Sequence, residues 1–360
     1  MNFHLSDDQV TLQDAVKRFV SDAAEAGVRR KVFESEDGFD PDFWNGLMAL
    51  GLGGLGLYGD YDGLGLQMID LALVAEVLGY EAAPGPFLGH TLAGLAIQQA
   101  GTPEQKAKWL PKLASGGALG TIALDESGDL WAPGDWTLSL EGGRLSGVKA
   151  NVLYPERADV IVVGLKGGGL ALVEGGEGVS SSPLNVADRT RRLWDVTFDK
   201  APAEALDAGG HAGTALFDAL LALLAADAFG GASRILQMTT DYAKTRSQFG
   251  QPIARFQGIK HRLANMASEI EPARGLYWYA AVAQDLKQED RSRVAALAKA
   301  HLADRFNSAA RVCVELHGGI GFTWEFDLQI WVKRAMFDYA YAGIPARHRR
   351  WALTEGEQAA

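Results

Sequence analysis

Two stretches in the last third of the chain carry the residue types that bind a phosphate-bearing ligand. The first begins at Arg246 and ends at Ile253. The guanidinium of Arg246 can bind a phosphate through two parallel hydrogen bonds. Gly250 and Pro252 break the chain within it, which frees backbone N–H groups and lets the next helix begin nearby. The second stretch, 317–322, contains three glycines, which let backbone approach a ligand where a Cβ would collide. Taken singly, each stretch is also typical of a helix–helix turn or a helix C-cap.

Together and in this order, the two stretches resemble the C-terminal domain of the flavin-dependent acyl-CoA dehydrogenases. The pattern of that family reads R-x-x-F-G-x-x-[IL]-x-x-x-Q and then, further along the chain, Q-x-x-G-G-x-G-F. The resemblance implies that FAD is the cofactor and that the matching positions hold its ADP end: Arg246, Gln248, Phe249, Gln257, Glu315, Gly318 and Gly319. In the family these groups reach across a subunit interface to a neighbour's FAD, so the resemblance also implies at least a dimer.

Glu315 departs from the family pattern, which usually has glutamine at this position. A carboxylate near a pyrophosphate is repelled unless a nearby cation offsets its charge. The contact between Glu315 and the cofactor therefore depends on whether Arg246 or another cation lies beside it.

Length, composition and charge set limits on the function. A chain of 360 residues is long enough for two or three domains, and 48% hydrophobic with 22% charged residues is typical of a globular protein. The net charge of -11 argues against nucleic-acid binding. The first residues show no basic segment followed by an apolar one, and the most apolar stretch, 219–226, is too short to span a bilayer. We therefore expect a soluble, cytoplasmic protein with no membrane span.

The cysteine and histidines indicate neither a disulfide nor a metal site. Cys313 is the single cysteine, which fits a reducing compartment, and its apolar helical surroundings favour a buried structural thiol over a nucleophile. His261 and His317 have no cysteine or carboxylate at ligand spacing, and His317 is assigned to the glycine turn instead. The basic run 347–350 is either a solvated helix face or a contact to the CoA 3′-phosphate or to an acidic partner surface.

Hydrophobic periodicity divides the chain into three sections. Residues 1–118 predict a helical domain, with capping boxes that begin at Ser6 and Thr102. Residues 119–205 contain short runs of β-branched residues separated by glycine and aspartate, which predict a small antiparallel β-barrel. Residues 206–360 return to the helical period and give the four segments of a helix bundle. The predicted fold class is α+β and mostly α, and this order of domains matches the acyl-CoA dehydrogenase architecture.

The runs that surround the flavin ring in the family are altered here. The family has T-E-P-x-A-G-S-D and K-x-W-I-T at these places. Residues 124–129 match the first run in a shortened form without its threonine, and in 149–153 Asn151 and Leu153 replace the tryptophan and threonine of the second. Each lost hydroxyl removes a hydrogen bond to the ring, typically worth about 1 kcal/mol. The resemblance therefore implies a weakened flavin-ring site on this chain.

The catalytic base of the family is absent from both of its usual positions. In the family a carboxylate removes the α-proton of an acyl-CoA thioester while a hydride passes to the flavin. The glutamate of the Y-E-G-T run is Ala342 here, and the second family position, 26 residues before Arg246, is Leu220. Asp227 lies on nearly the same helix face as Leu220, about 10 Å further along, and is a candidate substitute base. A capping or interface role is the competing interpretation of Asp227.

Three functions remain open from the sequence. The chain is one subunit of a hetero-oligomer, a dimer of dimers with a catalytic paralogue, as in some family members that act on steroid-type acyl-CoAs. Alternatively it is a self-sufficient dehydrogenase whose base is Asp227 or a residue of the glycine-rich loop 51–65. A non-redox acyl-CoA-binding or scaffold protein is the third. For the first two the resemblance implies an acyl-CoA substrate and an electron acceptor such as electron-transfer flavoprotein.

Overall fold

The structure, a computed structural model, describes residues 4–25, 27–206 and 212–358. Its first section contains the helices α1 (Asp7–Glu25), α2 (Val28–Glu34), α3 (Pro41–Ala49), α4 (Met68–Tyr80), α5 (Phe87–Ala100) and α6 (Pro103–Ser115). Both predicted capping boxes are confirmed. The backbone N–H of Gln9 donates to Ser6 Oγ over 3.2 Å, and that of Gln105 donates to Thr102 Oγ1 over 3.3 Å.

Helix α5 has no apolar stripe, so hydrophobic periodicity gave no sign of it. Of its 14 residues 12 are buried, and a helix that is buried on every side is apolar all round. His90 ties it to its neighbours, because Nε2 donates to the carbonyl of Leu113 at 3.1 Å and Nδ1 accepts from Gly120 N–H at 3.3 Å. Burial lowers the pKa of His90 to about 4, so this imidazole is neutral near pH 7.

The middle section is a sheet of seven strands: β1 (Gly120–Ala123), β2 (Leu140–Glu141), β3 (Arg144–Leu153), β4 (Val160–Gly164), β5 (Leu170–Glu174), β6 (Val179–Pro183) and β7 (Leu193–Leu206). Their order is β1-β4-β5-β7-β3-β2, with β6 beside β7. The hairpin turn predicted between β2 and β3 is confirmed, because Glu141 pairs with Arg144. Gly142 and Gly143 have φ values of 56° and 73°, which two-residue hairpin loops require.

The predicted antiparallel barrel is wrong, because the sheet is open. Strands β1 and β2 lie at its two ends, and β1 pairs in parallel with β4, with Gly120 opposite Val160. The long strand β7 accounts for this topology: its first half pairs with β3 and β6, and its second half, 203–206, pairs with β5. A φ of 51° at Lys200 lies at the register shift in the pairing of β7 with β3, shortly before the second half begins. One strand therefore joins two half-sheets without closing them.

The last section is helical: α7 (Ala212–Thr245), α8 (Gln257–Ile270), α9 (Arg274–Asp285), α10 (Arg291–His317), α11 (Leu328–Ala340) and α12 (Pro345–Gln358). A hairpin of β8 (Ser247–Gln248) and β9 (Gln251–Pro252) joins α7 to α8. The turn Glu271–Ala273 divides the second predicted segment into α8 and α9, because Pro272 cannot donate a helical hydrogen bond. The four predicted helical segments are therefore present, and α12 follows them.

Helix α7 is the centre of the fold, and it packs against α4, α5, α9, α10 and α11. By length and composition it could cross a membrane, but 89% of its most apolar window is buried inside the protein. Such burial is typical of a helix in the core of a protein.

Helices α4 and α7 approach so closely that only glycine fits where they meet. A Cβ on Gly79 would lie 2.1 Å from the carbonyl O of Asp227, and a Cβ on Gly230 would lie 2.0 Å from that of Glu76. Trp331 of α11 covers the same point, because its Nε1 donates to the carbonyl of Gly79 over 3.3 Å. This packing fixes the part of α7 that carries Asp227.

We expect Gly230→Ala to lower the free energy of unfolding by about 2–3 kcal/mol, because the added methyl group meets backbone that cannot move aside. The matched control is Gly275→Ala in α9, where a Cβ meets nothing within 4 Å. That change should raise stability by about 0.5–1 kcal/mol. Denaturant titration of both variants measures the difference, and equal stability would contradict the close contact of α4 with α7.

Candidate functional site

The hairpin β8–β9 presents the first phosphate-type stretch at the surface. Gln248 pairs with Gln251, and the two turn residues, Phe249 and Gly250, have φ values of 53° and 77°. The side chain of Phe249 is 92% exposed. Arg246, also exposed, forms no ion pair with any residue that the structure describes. An exposed aromatic ring beside an unpaired guanidinium is typical of a surface that contacts another molecule.

The glycine turn lies beside this hairpin, and Tyr242 touches both. The carbonyl of Tyr242 accepts from Arg246 N–H at 2.8 Å, while its hydroxyl donates to the carbonyl of His317 at 3.3 Å. Gly318 has φ 65° and ψ -144°, a conformation that strongly favours glycine. A Cβ on Gly319 would meet nothing within 4 Å, so packing within this chain does not require glycine there. We call the surface formed by the hairpin and the glycine turn the tail patch.

A cation offsets the charge of Glu315. Arg262 of α8 forms an ion pair with Glu315, and both side chains are partly exposed, at 41% and 61%. The repulsion expected between Glu315 and a phosphate is therefore reduced. Sequence reasoning did not single out Arg262, because its position beside Glu315 depends on the packing of α8 against α10. Gln248 and Gln257 are also exposed on this side of the chain.

His317 and Cys313 are structural. The Nδ1 of His317 donates to the carbonyl of Cys313 at 2.7 Å, and its ring stacks on Tyr242 with the centroids 4.4 Å apart. Burial lowers the pKa of His317, so the ring is neutral. Burial also raises the pKa of the Cys313 thiol to about 11, which fits a buried structural thiol. No group of residues suited to a metal ion occurs in the ranges that the structure describes.

A second site feature is a cleft of about 440 Å³ between the sheet and α11, which we call the ring cleft. Its apolar walls include Trp131, Phe337 and Tyr341, and both altered flavin-ring runs border it. Asp125 accepts from Asn151 Nδ2 at 2.7 Å through one oxygen, while its other oxygen is buried without a partner among the described residues. Burial raises the pKa of Asp125 to about 6.

Glu126 also borders the ring cleft, but its carboxylate is fully engaged. It accepts from Lys149 Nζ at 2.6 Å and from the backbone N–H of Thr137 at 3.0 Å. Although burial alone raises its pKa, these hydrogen bonds lower it, so Glu126 is ionised near pH 7. Its contacts hold the neighbouring loop in place.

A cavity of about 360 Å³ adjoins the ring cleft, and Trp131 lines both. Ala342 lines this cavity, which we call the base cavity. Leu220 is fully buried but does not line it, and the leucine that does is Leu221. The side chains of Ala342, Leu220 and Leu221 cannot accept a proton. Asp218, one helical turn before Leu221, also lines the cavity, and sequence reasoning missed it.

Asp227 is part of a buried ion-pair cluster and does not line the base cavity. Arg334 Nη1 lies 3.1 Å from both of its oxygens, and Arg191 Nη2 lies 3.0 Å from one. Arg334 also binds Asp188 at 2.7 Å. Burial alone raises the pKa of Asp227, but the charges of Arg334 and Arg191 outweigh burial and lower it. A carboxylate held by two guanidiniums is a weak proton acceptor, so this position gives no support to Asp227 as a base.

The glycine-rich loop 51–65 contributes none of the described residues that line the base cavity. It contains two short 3₁₀ turns, Leu52–Gly54 and Gly59–Tyr61. A Cβ on Gly63 would lie 2.0 Å from the carbonyl O of Leu57, so packing within the loop accounts for this glycine. The loop is a connection, and it offers no base to the cavity.

Most of the basic run is engaged within the chain. Arg347 forms ion pairs with Asp129 and Asp135, and Arg349 forms one with Asp304. These pairs fix α12 to the middle section and to α10. His348, next to Arg347, is buried, and its Nε2 lies 2.9 Å from the carbonyl O of Ala342. Arg347 and Arg349 are therefore engaged within the chain, whereas Arg350 is exposed and forms no ion pair with any described residue.

Comparison with known proteins identifies the family. The family model described as acyl-CoA dehydrogenase, C-terminal domain, matches residues 212–352, and the one described as acyl-CoA dehydrogenase, N-terminal domain, matches residues 6–117. This chain belongs to the acyl-CoA dehydrogenase family. The resemblance seen in the two phosphate-type stretches is confirmed, and FAD is the typical cofactor of the family.

Its relatives within the acyl-CoA dehydrogenases cover nearly the whole chain. Acyl-CoA dehydrogenase IpdE2 of Mycobacterium tuberculosis is 32% identical over 330 residues, which is 91% of each chain. IpdE2 of Mycolicibacterium smegmatis is 30% identical over 347 residues, or 96% of this chain and 98% of the relative. The solved Tcur3481-Tcur3483 steroid ACAD superposes with a TM-score of 0.91 at 30% identity, covering 98% of this chain and 99% of the other.

In this member of the acyl-CoA dehydrogenase family, the tail patch offers an exposed arginine and an open glycine turn, which suit the pyrophosphate end of FAD. The ring cleft fits the flavin ring in size, since small-molecule sites measure roughly 300–1,000 Å³. Its chemistry fits less well. Four acidic side chains border the cleft: Asp125, Glu126, Asp129 and Asp188. Lys333 is the one lysine or arginine among its described lining residues, and cations outside the lining pair with all of the four except Asp125. Negative charge opposes the electron density that a flavin ring gains on reduction.

We expect Asp227→Asn to destabilise the protein by about 3–5 kcal/mol, because it leaves Arg334 and Arg191 without a full counter-charge. The folded-state pKa lies below the ordinary value of 3.8, so the stabilisation is complete well above that pH and is lost as pH falls through the folded pKa. Unfolding measured at several pH values tests this. Asp241→Asn is the control, because Asp241 is exposed on the same helix and pairs weakly with Lys244 at 3.9 Å. Its effect should stay within about 0.5 kcal/mol.

Proposed function

We propose that this chain is a subunit of a hetero-oligomeric, FAD-dependent acyl-CoA dehydrogenase. It binds the ADP end of a FAD whose ring lies in a catalytic partner chain, and it supplies no catalytic base of its own. The observation that carries the proposal is a contrast within one chain. The tail patch keeps the family arginine and glycine turn and is exposed, whereas alanine and leucine occupy the two family positions of the base.

The tail patch supports the first half of the proposal. Arg246 is exposed without a counter-ion among the described residues, so its guanidinium is free to bind a pyrophosphate bidentately. The large apolar side chains around it, Phe249 and Phe322, are 92% and 77% exposed. Exposed aromatic residues beside an open cation are typical of a surface that a partner subunit covers.

The base cavity supports the second half. Ala342, at one family position of the base, lies in its wall, and Leu220, at the other, is buried outside it; neither side chain ionises. The carboxyls of the described wall, Asp135 and Asp218, lie at neither family position. Loss of a general base typically lowers the rate by about 10²–10⁴. The altered ring cleft points the same way, because the two runs that border it lack the threonines that the family places around the flavin. The chain is therefore equipped to complete another chain's site.

The names of solved relatives add support for two unlike chains. The Tcur3481-Tcur3483 steroid ACAD carries two components in its name. The ChsE4-ChsE5 complex from Mycobacterium tuberculosis, 25% identical with a TM-score of 0.87, is likewise named as a complex of two. We therefore include a bulky, steroid-type acyl-CoA as the substrate class of the assembled enzyme.

The remaining parts of the proposal follow the family. When bound, FAD would supply the hydride acceptor for the reaction, and a separate acceptor such as electron-transfer flavoprotein would receive its electrons. This chain contributes Arg246, Gln248, Gln257 and the glycine turn as hydrogen-bond donors toward the cofactor. A cytoplasmic location and the division into domains at 118 and 205 remain part of the proposal.

Co-purification with a paralogous chain that retains the family glutamate tests the proposal. The chain alone should hold little FAD, and the mixed complex should become yellow. Arg246→Ala should weaken FAD binding by the mixed complex about 10- to 100-fold, because it removes charged hydrogen bonds to the pyrophosphate. Flavin absorbance after dialysis against known FAD concentrations measures this change.

The matched control is Arg255→Ala. Arg255 is exposed in the same loop, has no ion pair among the described residues, and occupies a position that the family pattern leaves open. Its removal should change FAD binding less than about twofold, since it contributes only long-range charge that salt screens. Equal FAD binding by wild type and Arg246→Ala would contradict the proposal and favour the scaffold alternative.

A further inference from the structure

The base cavity is present although neither family position of the base carries a carboxylate. It is a partly enclosed pocket with a volume of about 360 Å³. Small residues such as Ala296 and Ala342 form part of its wall, and aromatic side chains of Trp131, Phe217 and Trp351 form much of the rest. A cavity of this size and lining is within the range of small-molecule sites.

Asp218 places one carboxyl group in this apolar wall. Thr214, Phe217, Asp218 and Leu221 follow the spacing of one helix face, and all four line the cavity. Asp218 is only 2% exposed. Such a group is costly to bury unless polar partners surround it.

The hydrogen bonding of Asp218 is incomplete among the described residues. The hydroxyl of Ser292 donates to Oδ2 at 2.5 Å, and no other hydrogen bond to Asp218 occurs within the described ranges. Burial raises the pKa of Asp218 to about 6, although the Ser292 hydrogen bond and the charge of Arg291 act in the opposite direction. A buried carboxyl with a raised pKa that lines a cavity is a candidate for a binding or catalytic site.

The other ionisable groups of the wall, Asp135, Arg347 and His348, already have partners. Arg347 is paired with Asp129 and Asp135, and His348 is hydrogen-bonded to the carbonyl of Ala342. Asp218 is therefore the ionisable group of the described wall with hydrogen-bonding capacity left for a ligand, beside the neutral hydroxyl of Thr214 and the indole N–H groups of Trp131 and Trp351. A carboxyl oxygen can accept a hydrogen bond whether the group is ionised or neutral. A neutral hydroxyl fits both states and brings no charge into an apolar cavity, unlike an ammonium group.

We propose that the base cavity is a non-catalytic binding site for an apolar ligand that carries a hydroxyl group, with Asp218 as the acceptor of its hydrogen bond. The site goes beyond the proposed function, because it requires neither FAD nor proton abstraction. It gives this chain a ligand of its own while the partner chain performs the chemistry.

A pair of isosteric probes tests the proposal: 2-naphthol, which has a hydroxyl, and 2-methylnaphthalene, which has a methyl group in its place. Equilibrium dialysis with the full chain, alone and in the mixed complex, gives the ratio of the two dissociation constants. In Asp218→Leu the dissociation constant of 2-naphthol should rise by about tenfold or more relative to that of 2-methylnaphthalene, because the hydrogen-bond acceptor is lost. Asp218→Asn keeps an acceptor oxygen and should retain most of the wild-type ratio.

Two further variants complete the test. Leu221→Trp fills the cavity and should weaken both probes, which shows where they bind. Ser292→Ala removes the hydroxyl that donates to Asp218 but leaves the carboxyl, so the ratio of the two dissociation constants should stay at its wild-type value.

An unchanged ratio in Asp218→Leu, or unchanged binding in Leu221→Trp, would overturn the proposal. So would loss of flavin reduction by acyl-CoA in a mixed complex carrying Asp218→Asn, since Asp218 would then be a base. The probes are not thioesters and need no flavin, so failure of probe binding leaves the proposed subunit role standing.

Discussion

The buried cluster around Arg334 is the interaction on which the rest of the structure depends. Arg334 is fully buried and binds Asp188 from the loop before β7 and Asp227 from α7. It also donates to the carbonyl of Ala83, which follows α4, at 3.0 Å. One guanidinium thus joins all three sections of the chain. Removal of one partner from such a cluster typically costs about 3–5 kcal/mol, whereas exposed ion pairs contribute about 0–1 kcal/mol.

The cluster also decides what the chain can do chemically. Asp188 borders the ring cleft on one side and is tied to Arg334 on the other, so the floor of that cleft is fixed. Asp227 serves the same cluster and is not available to a substrate. The free polar groups lie elsewhere: Arg246 faces outward in the tail patch, and Asp218 faces the base cavity. This division underlies the proposed role as a partner subunit.

Local signals in the sequence predicted local structure well. Capping at Ser6 and Thr102 and the turn before Arg144 were correct because each depends on residues only a few positions apart. The family, its cofactor and the helical character of the last section were also predicted. The barrel was wrong because the parallel pairing of β1 with β4 is set by distant strands. The positions of Arg262 and Asp218 were missed for the same reason, since packing between α7, α8 and α10 places them.

The central claim is that this chain holds the ADP end of FAD but cannot oxidise an acyl-CoA by itself. The most direct measurement is anaerobic mixing of the purified chain, without a partner and with excess FAD, with acyl-CoA thioesters of straight and ring-bearing chains. The account predicts that the flavin absorbance stays at the level of the same mixture without protein. Bleaching at an ordinary enzymatic rate, about 1 s⁻¹ or faster, would contradict it.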